Sequence, residues 1–168
     1  NYQNLESYYN EFVYHTYLDM PERIQRTLSS LLGEAKIPER EKHVDYSEAK
    51  ENILYLLTSA YTDSNQLDER WTGDDFIFDF LQISQKGYSV HFASAATMMF
   101  RYYGIPARYV EGYLITPEDA QAMTAGEPYV VDDTHAHAWV EYYQDGVGWI
   151  PFETIKSYMD LMGTNDSF

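Results

Sequence analysis

Apolar residues near the start of the chain recur at the spacing of an amphipathic helix. Ile24, Leu28 and Leu31 share one helix face. Asp19 is expected to cap the start of this helix, because a proline that suits the first helical turn follows two positions later. Gly33 is expected to end it, since glycine accepts the left-handed backbone found after many helices. The pattern predicts a helix between these two residues.

A second helix is predicted from about Ser47, where four apolar residues again share a face: Ala49, Ile53, Leu56 and Ala60. The charged stretch 34–45, which contains a proline, predicts a loop between the two helices. The polar stretch 61–75 predicts another loop, in which Trp71 either covers an edge of the core or lines a substrate groove. The first part of the chain is therefore expected to be helical.

The segment from Ser89 to Tyr103 is apolar around most of a helical circumference, which predicts a buried helix. Gly104 is expected to end it, and Pro106 to prevent its continuation. The composition then changes to that of β-strands, with a polar excursion over 117–127. Strands are predicted over 108–115, 129–131, 137–143 and 147–152. Helices followed by an antiparallel sheet define the class α+β.

The last two predicted strands carry a histidine and a glutamate that a hairpin would bring together. A three-residue loop over 144–146 would pair Tyr143 with Val147. His137 then lies directly across from Glu153, with Cβ atoms about 4.5–5.5 Å apart on one face. A two-residue turn would instead place the two side chains on opposite faces. The pair is either a base oriented by a carboxylate or an ordinary surface pair.

Ser89 opens the central helix, and its position allows two interpretations. Serine is among the preferred N-cap residues, which gives it a purely structural role. A nucleophile at a helix N-terminus is also stabilised by the free backbone N–H groups and the helix dipole. With His137 as base and Glu153 as the orienting carboxylate, Ser89 would complete a nucleophilic constellation.

A metal site is only weakly indicated. His135 stands near Asp132 and Asp133, but no further ligand is clearly spaced for a closed site. We predict neither a metal nor a cofactor.

Three other candidate side chains have ordinary structural interpretations. His91 on the buried helix is expected to be a core histidine. Arg101 and Arg108 flank the turn after that helix, and they are expected to pair with acidic neighbours or to bond helix-end carbonyls.

Composition narrows the class of protein. The chain has 168 residues with 27 acidic and 11 basic side chains, a formal net charge of −16. That charge disfavours binding to nucleic acid phosphates or anionic lipid head groups. No apolar run reaches the roughly 20 residues that cross a bilayer. Because the chain shows no signal peptide and does not begin with Met, we expect it to be a piece of a longer protein or a processed product. The absence of cysteine fits either an extracytoplasmic setting or removal of a reactive thiol.

Four segments together resemble the transglutaminase-like superfamily of cysteine enzymes, over about 74–154. They are 87–93, 104–108, 137–141 and 148–153, which read GYSVHFA, GIPAR, HAWVE and GWIPFE. The resemblance implies a papain-like α+β fold with a Cys-His-Asp triad, in which Ser89 stands at the nucleophile, His137 at the base and Glu153 at the acid. It is greatest to bacterial domains of membrane-anchored proteins, in which helices precede the core.

Two residues depart from the family pattern. Glu153 stands where an aspartate is usual, which costs one methylene of extra length. Ser89 stands where the family has the cysteine, and we predict a severe loss of activity because a serine hydroxyl does not ionise as a thiol does. The serine is either a substitution that preserves the structure and removes thiol chemistry, or the natural residue of a non-catalytic relative.

The resemblance implies acyl transfer or hydrolysis at a peptide or protein amide, with the backbone N–H of residue 89 in the oxyanion hole. The alternative is a non-catalytic envelope domain that binds a peptide or a cell-wall strand. We expect one domain over 1–168, with a helical part (1–73), a core (74–154) and a C-terminal tail (155–168). By resemblance it would belong to a membrane-anchored parent and lie outside the cytoplasm.

Overall fold

The computed structural model describes residues 2–37, 45–66 and 75–162. Helices form the first half of the chain, and a sheet follows the central helix. In chain order the elements are α1 (Tyr2–Thr16), α2 (Glu22–Leu32), α3 (Ser47–Ala60), β1 (Thr62–Asp63), α4 (Phe76–Asp79), a π-helical turn (Phe80–Ser84), β2 (Lys86–Gly87), α5 (Ser89–Tyr102), β3 (Ala107–Tyr113), α6 (Pro117–Ala122), a 3-10 turn (Asp133–His135), β4 (Ala136–Gln144), β5 (Gly148–Phe152) and α7 (Lys156–Met162). The fold is α+β, as predicted.

Both predicted N-terminal helices are present, with corrections in detail. Gly33 ends α2 with a positive φ of 73°. Asp19 does not cap that helix, because Pro21 holds the N-cap position; the Asp19 carbonyl accepts a hydrogen bond of 2.7 Å from Arg101 instead. In α3 the deeply buried face includes Leu57 rather than Leu56. None of the helices in the described ranges is long and apolar enough to span a bilayer.

The central helix α5 is buried and packs on β3 and β4, as predicted. Near its end, the Phe100 ring stacks on Tyr142 at 5.2 Å and meets Phe152 edge-on at 5.1 Å. These aromatic contacts fasten the helix to one face of the sheet. A single apolar cluster joins this region to α2, α3 and Ile155, which directly precedes α7.

The antiparallel sheet has the order β3-β4-β5, and its hairpin register differs from the predicted one. Tyr143 pairs with Trp149 and Gln144 with Gly148, so the pairing of Tyr143 with Val147 was wrong by two positions. The loop is 145–147, because Gly148 adopts a φ of 109° that glycine tolerates readily. A shift of two positions keeps every side chain on its face.

One other expectation was wrong in the same half of the chain. Residues 129–131 form no strand, and Val130 is 77% exposed. The segment between β3 and β4 instead contains α6, which Thr116 caps, and the 3-10 turn. In the segment 155–168, expected to be a C-terminal tail, the described residues include the helix α7. Trp71 and part of the predicted loop 34–45 lie outside the described residues.

Candidate active site

His137 and Glu153 are in direct contact beside the sheet. His137 Nε2 lies 2.7 Å from Glu153 Oε2, and the imidazole side chain is 2% exposed. The other carboxylate oxygen, Oε1, accepts the backbone N–H groups of Thr154 at 2.8 Å and Ile155 at 2.9 Å. The turn after β5 therefore fixes the carboxylate, and the carboxylate fixes the ring.

The altered register explains how this contact forms. In the observed pairing Phe152 lies opposite Val140, so Glu153 stands just beyond the end of β5. Continuing the pairing would place Glu153 opposite Trp139, which shares a face with His137. The carboxylate thus reaches the imidazole along a diagonal, which is within the range of long side chains.

The second ring nitrogen of His137 is buried and without a partner among the described residues. Because a carboxylate accepts a hydrogen bond, the contact with Glu153 requires the proton on Nε2. In the neutral imidazole Nδ1 then carries the lone pair. Buried polar atoms rarely lack a partner, and an imidazole in this state can accept a proton from a group placed beside Nδ1.

Two aromatic rings border the His137 imidazole. The Tyr158 ring lies 4.1 Å from it at an interplanar angle of 32°, and the Trp139 indole lies nearly parallel to it at 6.3 Å. Trp139 also covers Gly112, which pairs with His137 in the sheet. A Cβ added at Gly112 would lie 2.8 Å from the indole, so a side chain there would displace Trp139. The position of the Trp139 indole therefore requires glycine at position 112.

Ser89 is the first residue of α5 and is half-buried. The N-cap position belongs to Tyr88, so the N-cap interpretation of Ser89 was wrong. The turn before the helix is fixed by His91, whose Nδ1 accepts the Tyr88 N–H at 3.3 Å. Burial lowers the pKa of His91, and its ring stacks on Phe76 at 4.5 Å. His91 is thus a neutral core histidine, as predicted.

A chain of contacts connects the start of α5 to His137. Gly87, two residues before Ser89, pairs with Asp63 in the parallel ladder of β1 and β2. The Ser157 hydroxyl lies 3.4 Å from the Asp63 carboxylate. The next residue, Tyr158, is the one that stacks on His137.

A second connection runs through β3. The Tyr109 hydroxyl bonds Glu111; burial raises the pKa of Tyr109, with smaller contributions from Glu111 and from the nearby Tyr88 phenol. Glu111 pairs with Ala138, the neighbour of His137. The start of α5 therefore lies at the end of the sheet that carries His137. The approach of the Ser89 hydroxyl to Nδ1 itself stays a prediction.

His135 belongs to a hydrogen-bonded cluster rather than to the imidazole–carboxylate pair. Its Nδ1 lies 3.1 Å from Asp132 and its Nε2 3.6 Å from Asp119. Asp119 also accepts hydrogen bonds from Thr116 and Tyr129, which together lower the pKa of Asp119 to about 2. Within the described ranges, no three histidine or acidic side chains are grouped as metal ligands.

Both arginines have structural roles, and that of Arg108 is the expected pairing with an acidic neighbour. Arg108 makes an ion pair of 2.6 Å with Glu141, its cross-strand partner, and lies over the Trp149 ring at 4.3 Å. Arg101 donates to the carbonyls of Ala107 and Asp19. The segments GIPAR and HAWVE are therefore joined by a direct ion pair.

Tyr158 was missed by sequence reasoning. It lies in the segment interpreted as a tail. The helical spacing of Ile155, Tyr158, Met159 and Met162 was the signal that could have indicated a packed helix there.

A family model described as the transglutaminase-like superfamily matches residues 36–154. The chain belongs to this superfamily. All four segments that carried the resemblance lie within the match, together with the residues predicted for the site.

Sequence relatives of this transglutaminase-like chain are found in bacteria. It is 32% identical over 140 residues, 83% of its length, to the Bacillus subtilis protein YebA, which is described as uncharacterized. It is 40% identical over 79 residues, 47% of its length, to a protein-glutamine gamma-glutamyltransferase of Pseudomonas aeruginosa. The chain spans 18% and 11% of the lengths of these two relatives.

Solved structures share the transglutaminase-like fold. The periplasmic domain of TgpA from Pseudomonas aeruginosa, bound to ethylmercury, matches with a TM-score of 0.65 and 23% identity, over 90% of this chain and 52% of that one. Another structure of the same domain gives a TM-score of 0.62 at 24% identity, over 89% of this chain and 49% of that one. At these identities the likeness shows the fold alone.

Proposed function

We propose that this domain is built for acyl transfer at a peptide or protein amide, and that Ser89 in place of cysteine removes most of that activity. The observation that carries the proposal is the buried His137 imidazole, with Nε2 on Glu153 and Nδ1 left without a described partner. A buried, oriented base with a free lone pair suits proton transfer to and from a nucleophile.

The proposed chemistry requires a thiol at position 89. His137 Nδ1 takes the thiol proton, and the thiolate attacks the amide carbon. The carbonyl oxygen becomes an oxyanion near the backbone N–H of residue 89. The C–N bond then breaks, and the leaving amine takes the proton from the imidazolium. Water or a second amine attacks the resulting thioester and gives its proton to Nδ1. The C–S bond then breaks, and the released thiolate takes that proton back from the imidazolium.

Ser89 changes the first step. A free thiol has a pKa near 8.5 and forms a thiolate readily beside a histidine, whereas a serine hydroxyl stays protonated. The site would then hold an amide without opening it. This supports the second candidate, a non-catalytic domain that binds a peptide or a cell-wall strand.

The substrate class and location rest on the relatives. Since one relative is a protein-glutamine gamma-glutamyltransferase, a glutamine side-chain amide is the favoured substrate, with a peptide bond as the alternative. The TgpA domain is periplasmic, and we propose that this domain likewise works outside the cytoplasm. The relatives are far longer than this chain, which supports a larger parent protein; we propose from the family resemblance that this parent is membrane-anchored.

The test is to install the thiol. Because the chain has no cysteine, Ser89→Cys and Ser94→Cys each carry a single thiol. Ser94 is a half-buried residue of the same helix, which makes it a matched control. At pH 6 we expect iodoacetamide to alkylate the Ser89→Cys thiol at least about tenfold faster than the control thiol, because a thiolate paired with imidazolium persists at low pH.

Amide turnover then separates the two candidate functions. Ser89→Cys is assayed for release of ammonia from glutamine peptides and for incorporation of a fluorescent amine. Turnover that disappears in Ser89→Cys/His137→Ala supports the acyl-transfer proposal. A Ser89→Cys thiol that reacts no faster than the Ser94→Cys thiol overturns it. A reactive thiol without turnover favours the binding domain.

A further inference from the structure

The His137–Glu153 pair is covered on one side by a ring from α7, a helix beyond the residues that the family model matches. The Tyr158 ring lies 4.1 Å from the imidazole, and the two planes are inclined by 32°. This contact leaves little room for water over the imidazole, whose side chain is 2% exposed, against 20% for Glu153.

The backbone of Tyr158 is tied to the turn that follows Glu153. The backbone N–H of Tyr158 and that of Met159 both donate to the carbonyl of Ile155, at 3.1 and 3.0 Å, and Ile155 is a buried core residue. The same Ile155 donates its own N–H to Glu153. Ile155, the Glu153 carboxylate and the backbone that carries the Tyr158 ring therefore belong to one hydrogen-bonded turn of the chain.

We propose that Tyr158 is a positioning residue that shields the His137–Glu153 hydrogen bond from water and holds the imidazole with Nδ1 toward the nucleophile. The proposal rests on the proposed function in so far as His137 is the base. A hydrogen bond to a charged group is stronger where water is excluded, since water competes for both partners. A half-turn of the imidazole about Cβ–Cγ would place Cε1 where Nε2 contacts Glu153 and Cδ2 where Nδ1 lies. The Tyr158 ring, 4.1 Å away, opposes that rotation.

The shielding role belongs to the ring and not to the hydroxyl. Burial and the nearby carboxylates of Asp63 and Glu153 raise the pKa of Tyr158, so the phenol is neutral. The contact with the imidazole is made by the Tyr158 ring. Phenylalanine at position 158 should therefore preserve the shielding of the hydrogen bond, whereas alanine or leucine should not.

The first experiment uses the chain as it is, with ¹⁵N-labelled histidine. Proton NMR follows the His137 Nε2–H, which is shifted downfield by the carboxylate, and its exchange with water. We expect slow exchange in the unaltered chain and in Tyr158→Phe. In Tyr158→Ala we expect exchange at least about tenfold faster, because the protecting cover is gone. Tyr55→Ala, which removes a tyrosine that is 76% exposed, is the matched control and should leave the exchange unchanged.

Two results would overturn the proposal. One is slow exchange that persists in Tyr158→Ala, and the other is rapid exchange in Tyr158→Phe. Tyr158→Leu guards against misfolding of the alanine variant, since it keeps apolar volume without a flat ring; it should also exchange faster while its backbone amide spectrum stays folded.

A second experiment separates this proposal from the proposed function. In the Ser89→Cys background, Tyr158→Ala should alter the pH dependence of alkylation, and Tyr158→Phe should restore it. If Ser89→Cys is itself unreactive, the acyl-transfer proposal fails, and the exchange measurement still decides whether Tyr158 shields the pair.

Discussion

Gly112 lies opposite His137 on the neighbouring strand, and the Trp139 indole occupies the space that a side chain on Gly112 would need. Packing therefore links Gly112 of β3 to Trp139 of β4. Because Trp139 also lies alongside the imidazole, a change at Gly112 should be felt at His137.

Gly112→Ala is expected to lower the free energy of unfolding by about 1–3 kcal/mol, the usual cost of forcing an extra methyl group into a packed site. Urea unfolding measures the loss. Trp139→Phe removes the part of the indole that a Cβ would meet, so the double variant should lose less than the sum of the single variants. Strictly additive losses would contradict the proposed contact.

Glu153→Gln keeps the length of the side chain but removes its charge. The amide can still accept the two backbone N–H groups, whereas its support of a charged imidazole is lost. In the Ser89→Cys background we expect alkylation at pH 6 to slow by at least about tenfold, in line with the loss of an oriented acid–base pair. Glu118→Gln, an exposed change of the same kind, is the control. Equal rates in the two variants would exclude an electrostatic role for Glu153.

Asp119 predicts a pH dependence for the segment between β3 and β4. Bonds from Thr116 come first among the causes that hold the pKa of Asp119 at about 2, below the value of about 3.9 for an unfolded chain. A depressed pKa contributes stability that is present above about pH 4 and is lost as the pH falls toward 2. The Thr116 amide, which donates to Asp119 at 2.8 Å, reports this by hydrogen exchange.

We expect the protection of the Thr116 amide to fall between about pH 4 and pH 2 in the unaltered chain. In Asp119→Asn the protection of the Thr116 amide should be lower at pH 4 than in the unaltered chain. It should not change between about pH 4 and pH 2. Glu118→Gln serves again as the control, since Glu118 is exposed and makes none of these bonds. A pH dependence that survives in Asp119→Asn would assign the effect to another group, such as Asp132, whose pKa is lowered by bonds from Thr134.

The contact between His137 and Glu153 was predictable from the sequence even though the predicted hairpin register was wrong. Side chains of a strand alternate between two faces, so any hairpin shifted by an even number of residues keeps His137 and Glu153 on one side. The exact pairing depends on which loop residue accepts a positive φ. Both Gly146 in the loop and Gly148 at the start of β5 have a positive φ, whereas the predicted loop 144–146 relied on Gly146 alone.

Contacts between distant segments were not predictable in the same way. Nothing in the local sequence of Tyr158 indicates that its ring reaches His137, because that contact depends on where α7 packs. Asp19 looks like an N-cap by its position before Pro21, yet its carbonyl bonds Arg101 of α5 instead. Serine is a residue type preferred at N-caps, yet Ser89 is the first residue inside the helix and Tyr88 holds the N-cap position.

The position of Tyr158 has a consequence for how this unit is bounded. Cutting the chain after Thr154, where the shared family region ends, would retain Ser89, His137 and Glu153. It would also remove the Ile155 N–H that donates to the Glu153 carboxylate and the Tyr158 ring that covers the His137 imidazole. A fragment of this chain that keeps both contacts therefore has to extend at least through Tyr158, beyond the border of the family match.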